Sequence, residues 1–92
     1  MLGQRINELR IAIGWSQVHL AEKLNISKQT VSNWENDNIQ PSIEMLVRIA
    51  KLFHVSTDYL LGLSNAPTLN VEGLPSSFVA HITQIIEDYK QK

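Results

Sequence analysis

Gln17–Pro41, QVHLAEKLNISKQTVSNWENDNIQP, is the stretch whose reading decides the fold. Leu20, Ala21 and Leu24 recur at helical spacing and make an inward stripe, and Ala21 is small enough to let a second helix come close. Ser16 is placed to cap this helix, its side-chain oxygen accepting from a free backbone N–H of the first turn. Asn25 occupies the turn that follows, because Asn tolerates the left-handed backbone that ends many helices. Ser27 then caps a second helix over 27–36. Two short helices therefore meet at a tight turn.

The second helix has two unlike faces. With Lys28 at zero on a wheel of about 100° per residue, Ser32 falls near ~40°, Asn36 near ~80°, Gln29 near ~100° and Asn33 near ~140°. Trp34 and Val31 fall on the other side, near ~240° and ~300°. Trp34 is thereby placed in the core and not among stacked bases. The polar side holds only amides, a hydroxyl and one ammonium, with no carboxylate to repel phosphate. Asn and Gln can pair bidentately with adenine, and Lys with guanine, across the major groove. A solvated surface is the ordinary use of a polar helix face, and it usually carries more Glu and Lys than this one. The arrangement is that of a helix-turn-helix, whose second helix enters the major groove of DNA.

From about Gln4 to Gly62 the chain resembles the DNA-binding domain of the lambda-type phage repressors and Cro proteins, the XRE family. The resemblance rests on I-x-x-L-R at Ile6–Arg10, G-x-S-Q at Gly14–Gln17, L-A-x-x-L at Leu20–Leu24 and S-x-x-x-V-S-x-W-E at Ser27–Glu35. It continues with Pro41-Ser42 and the run L-x-x-I-A-K-L-F-x-V-S-x-D-Y-L-L-G ending at Gly62. It implies that Gln17 contacts a phosphate, at the positive end of its helix. It implies further that Lys28, Gln29, Ser32 and Asn33 face the bases, and that Asn36, Asn38 and Gln40 touch the DNA backbone near the groove edge. Arg10 and Glu35 are implied to form an ion pair tying the first helix to the recognition helix. Many relatives carry Gly where this chain has Asn25 and Asp37, and Asp37 puts a negative charge close to the implied path of a phosphate.

Charge sets a condition on this reading. Residues 1–62 hold Arg5, Arg10, Lys23, Lys28, Arg48 and Lys51 against Glu8, Glu22, Glu35, Asp37, Glu44 and Asp58, a net of zero. Nucleic-acid binders usually show a basic stripe, and without one counterion release adds little to affinity. Phosphate contacts would come from helix N-termini, amides and hydroxyls, and two copies acting together would supply the affinity one lacks.

The remainder of residues 1–62 reads as scaffold: Ile6, Leu9 and Ile13 on a first helix, and Leu46, Ile49, Ala50 and Phe53 on a helix capped by Ser42. Ser56 caps a last short helix whose Leu60 and Leu61 close the core before Gly62. The expected fold class is all-α: a five-helix lambda-repressor-like helix-turn-helix domain at 1–62. A linker follows at 63–75, rich in Ser, Asn, Pro, Thr and Gly but interrupted by Leu69, Val71 and Leu74, which suit docking. A C-terminal amphipathic helix at 76–92 carries Phe78, Ile82, Ile85, Ile86 and Tyr89 at helical spacing. A lone helix of about fifteen residues is marginal in water, so its stripe either packs on its own domain or pairs with a second copy. The two-fold symmetry of palindromic sites favours the second, a dimerisation element.

Enzyme, metal and membrane roles find no support. The chain has no Cys; His19, His54 and His81 are scattered; and there is no H-E-x-x-H or glycine-rich phosphate loop. No cofactor or small-molecule substrate is implied. With no long apolar run and no secretory leader pattern, the chain is expected to be cytoplasmic, which makes the sequon Asn25-Ile26-Ser27 a chance match. The expected function is sequence-specific binding of double-stranded DNA by a homodimeric repressor. The competing expectation is a protein-interaction module, such as an antitoxin-like component whose C-terminal helix binds another protein.

Overall fold

The computed structural model describes residues 2–65 and 71–91, which form six α-helices with no strand among them. They are α1 (Leu2–Ile13), α2 (Gln17–Leu24), α3 (Lys28–Glu35), α4 (Ile43–Phe53), α5 (Thr57–Leu60) and α6 (Ser76–Lys90). None is long and apolar enough to cross a membrane.

The first five helices all stop by one device. Gly14, Asn25, Asp37, His54 and Gly62 have positive φ, between 57° and 86°. The N–H of the next residue reaches back to the carbonyl five positions earlier: Trp15 to Arg10 (3.0 Å), Ile26 to Ala21 (2.9 Å), Asn38 to Asn33 (2.9 Å), Val55 to Ala50 (3.0 Å) and Leu63 to Asp58 (2.8 Å). This left-handed closure satisfies carbonyls that would otherwise be orphaned at the helix end. At Gly14-Trp15-Ser16, Asn25-Ile26-Ser27 and His54-Val55-Ser56 the left-handed residue is followed by an apolar residue packed in or against the core, then by a Ser N-cap. Ser16, Ser27, Ser42 and Ser56 each accept from the backbone N–H three residues on, at 3.0–3.2 Å. Losing one such cap typically costs about 1 kcal/mol. His54 takes a place where Asn or Gly is usual, and nothing in its residue type announces it.

Ile6, Leu20, Val31, Ile49 and Leu60 are fully buried, one from each of α1–α5. Burying such a side chain contributes roughly 1.5–3 kcal/mol, so five helices too short to persist alone hold one another in place. Trp34 is also buried, on the core side of α3. Two expected core residues lie outside: Ile13 is 52% exposed and Leu61 43%. The buried side of α1 runs through Gly3 and Ile6 with Leu2 and Leu9 packed beside them. Beyond Leu9 the guanidinium of Arg10 takes the inner position, and Ile13 at the helix end has nothing left to cover it. Leu61 is the last residue before the Gly62 turn, where the helix has already left the core.

Gly3 fixes how closely α1 approaches α3. A Cβ there would collide with the Trp34 carbonyl oxygen and stand 2.9 Å from that of Glu35, so no larger residue permits this crossing.

α6 stands apart from this core and buries none of its residues. Gly73 turns the chain into it, and Pro75 holds the N-cap position without a side-chain bond. Phe78 and Ile82 face Val47, Ala50 and Val55 across a cleft of about 740 Å³ that Val71 and Leu74 also line. Leu69, the third apolar residue expected to dock from the linker, lies outside the described residues.

Candidate nucleic-acid interface

α3 is held by its C-terminal carboxylate. Glu35 Oε1 accepts from Asn7 Nδ2 (2.8 Å), Arg10 Nη2 (3.0 Å) and Gln17 Nε2 (3.1 Å), and Oε2 accepts from Arg10 Nε at 2.7 Å. Arg10 Nη1 donates to the Trp15 carbonyl at 2.8 Å, so one ion pair ties together α1, the first turn, α2 and α3. The two side chains are only 12% and 3% exposed. Burial pushes the Glu35 carboxyl up, but hydrogen bonds from Arg10, Asn7 and Gln17 and the charge of Arg10 outweigh it and hold the group below the usual carboxylate range. The bond to Glu35 likewise raises the Arg10 guanidinium against the opposing effect of burial.

With Glu35 turned inward, the outer side of α3 keeps the character expected from its sequence. Lys28 and Gln29 are exposed, and Ser32 and Asn33 are half-buried. Gln29 Nε2 donates to Asn33 Oδ1 at 3.2 Å, and Asn36 Nδ2 to Ser32 Oγ at 3.3 Å. Two parallel one-turn pairs thus limit the rotamers of the side chains that would meet base edges. Asn36, Asn38 and Gln40 are exposed on the loop beyond, which folds back so that Asn38 N and Ile39 N both donate to the Asn33 carbonyl. Five of these seven residues thus lie along α3 and its C-cap, and Asn38 and Gln40 lie in the loop that follows.

Gln17 is the departure. The first residue of α2 is half-buried, with its amide engaged by Glu35. An amide nitrogen carries two N–H groups, and the second remains for an acceptor outside. Asp37 also differs from expectation. Its Oδ1 accepts from Gly3 N at 3.2 Å, at the positive end of α1, where a carboxylate is favoured. Asp37 nevertheless stays exposed, so its negative charge remains at the surface beside α3, offset in part by the positive end of α1.

Asn7 and Gly3 were missed by sequence reasoning. A signal existed, since Gly3, Asn7 and Arg10 lie four and three residues apart and share one face of α1. The other cations lie elsewhere: Arg5 stacks 4.0 Å over the Tyr59 ring, and Arg48 Nη2 donates to the Leu24 carbonyl at 2.9 Å. Among the described residues no group of His, Asp and Glu is arranged to hold a metal.

Two short helices closed by a left-handed turn, the second presenting ordered amides and hydroxyls, define a helix-turn-helix domain. Residues 6–60 match the helix-turn-helix family, and the chain belongs to its lambda repressor/Cro-type branch. It is 37% identical over 87 residues to the HTH-type transcriptional regulator ImmR of Bacillus subtilis, a match covering 95% of this chain and 68% of that protein. It is similar to the biofilm regulator SinR of Bacillus subtilis, solved with DNA, at 37% identity and a TM-score of 0.61, covering 66% of this chain and 98% of that one. The c2 repressor of Salmonella phage P22, solved with a synthetic operator, matches at 30% identity and a TM-score of 0.62, covering 65% of this chain and 91% of that one.

Proposed function

We infer that the chain is a transcriptional repressor that binds a palindromic operator in double-stranded DNA as a homodimer. Each α3 enters one of two successive major grooves on the same DNA face, with half-sites about 10–10.5 bp apart. Lys28, Gln29, Ser32 and Asn33 read bases, while Gln17, Asn36, Asn38 and Gln40 hold the sugar-phosphate backbone. Glu35 orients the Gln17 amide so that its second N–H faces a phosphate. Residues 1–62 carry this activity, 63–75 connect, and Phe78, Ile82, Ile85, Ile86 and Tyr89 in 76–92 supply the dimer contact. The protein works in the cytoplasm and catalyses nothing.

One observation carries the reading. Glu35 is bound inward by Arg10 and the exposed Asp37, beyond the end of α3, accepts from Gly3 N, so the outer face of α3 itself carries amides, hydroxyl and one ammonium. A surface meant only for solvent has no reason to exclude acid so completely. The relatives described above, two of them solved with DNA, support the same reading and not the antitoxin-like module. A compact binder acts most simply by obstructing polymerase, which favours repression. Selection from random duplex DNA tests the whole: an enriched palindrome with half-sites one helical turn apart is expected. Absence of enrichment at both low and physiological salt would contradict it.

A further inference from the structure

Asn7 stands in the middle of α1, where an Asn works against the helix because its side chain competes for backbone hydrogen bonds. Here the side chain reaches out of the helix and donates to Glu35 Oε1 at 2.8 Å. The same oxygen accepts from Arg10 Nη2 at 3.0 Å and from Gln17 Nε2 at 3.1 Å, while Oε2 accepts from Arg10 Nε at 2.7 Å. A carboxylate offers about four acceptor sites, about two on each oxygen. Three donors therefore share Oε1, and Gln17 has the longest of the three bonds.

We propose that Asn7 is a positioning residue for the DNA contact of Gln17. By occupying Oε1 from α1, it keeps the Gln17 amide on the α2 side of the carboxylate with its second N–H turned outward. This rests on the phosphate-contact reading of Gln17 above and names the group that sets its position. Arg10 does not do this alone, because its guanidinium is spread over both carboxylate oxygens and the Trp15 carbonyl and leaves a site on Oε1 open. Without Asn7 the Gln17 amide would have that site to itself and could draw into it, carrying its second N–H back from the surface. An Asn7 that only braced α1 against α3 would act on stability and not on the Gln17 contact.

Asn7→Leu keeps the size of the side chain and removes the donor; Asn7→Ala is the second variant should Leu disturb the packing of α1. Both are made in the parent chain and in Gln17→Ala, and each protein is used at a temperature where circular dichroism shows it folded. The probe is the duplex that the full parent chain enriches from random DNA. In the parent background Asn7→Leu should weaken binding about three- to tenfold, the size of one lost hydrogen bond, with the enriched consensus unchanged. In Gln17→Ala it should cost less than about twofold, since the contact it positions is already gone. An equal loss in both backgrounds, or no loss where Gln17→Ala itself weakens binding, overturns the positioning role and leaves the phosphate contact standing. Unchanged affinity in Gln17→Ala, or no enriched duplex at all, overturns the phosphate contact and the role of Asn7 with it.

Discussion

Gln17 Nε2 donates to Glu35 Oε1 at 3.1 Å, joining the first residue of one helix of the motif to the last residue of the other. The bond sets the direction of an amide that would otherwise sweep freely over the α2 N-terminus. Gln17→Ala should therefore weaken operator binding while leaving base preference unchanged, because phosphate contacts carry no sequence information. A shifted consensus in repeated site selection would refute the assignment.

Glu35 is more costly to remove. Glu35→Ala leaves the Arg10 guanidinium, 12% exposed, without its counter-ion, and Asn7 and Gln17 lose their acceptor. Breaking a buried pair from one side costs roughly 3–5 kcal/mol. Urea unfolding should show the loss, and the double replacement Arg10→Met, Glu35→Leu should recover much of it. A loss in the single variant below about 1 kcal/mol would place this pair with exposed surface ion pairs.

The same carboxylate predicts an acid dependence. Its folded pKa lies below the ordinary 4.5, so between the two values the unfolded chain binds more protons than the folded one. The stabilisation is therefore complete above about pH 4.5 and is lost as pH falls through the folded value. Unfolding midpoints measured from pH 6 down to pH 3 should decline more steeply for the parent chain than for Arg10→Met, Glu35→Leu. Equal slopes would show that other groups govern the acid limb.

Gly3→Ala is expected to destabilise by roughly 1–3 kcal/mol, as overpacking does, since the new methyl meets the backbone oxygens of Trp34 and Glu35, which cannot swing aside as the Asp37 carboxylate could. His54→Gly should act in the opposite sense. Relief of a left-handed L-residue, offset by glycine's greater chain entropy, predicts a gain of up to about 1 kcal/mol. Thermal unfolding distinguishes both from neutral changes.

How much could be read without coordinates depends on range. The four Ser caps and the αL turn at Asn25 are local, and each residue type has a direct physical reason to sit where it does. His54 ends α4 in the same conformation only because Val55 must return to the core, a tertiary demand that overrides residue preference. Ile13 and Leu61 kept the right periodicity but lie where their helices have run past the core. The outer face of α3 was legible because a helix wheel needs no partner. The bond from Gly3 N to Asp37 was not, since it depends on where α1 begins relative to α3.

The central claim is that the outer face of α3 reads bases. It is tested most directly by titrating the selected operator, and a set of single-base-pair variants of it, with the parent chain and with Asn33→Ala. The account predicts that Asn33→Ala loses roughly 1–3 kcal/mol on the operator and stops discriminating at one base-pair position in each half-site, with Gln29→Ala acting at an adjacent one. Unchanged affinity and unchanged discrimination across the variants would mean that α3 does not read the site.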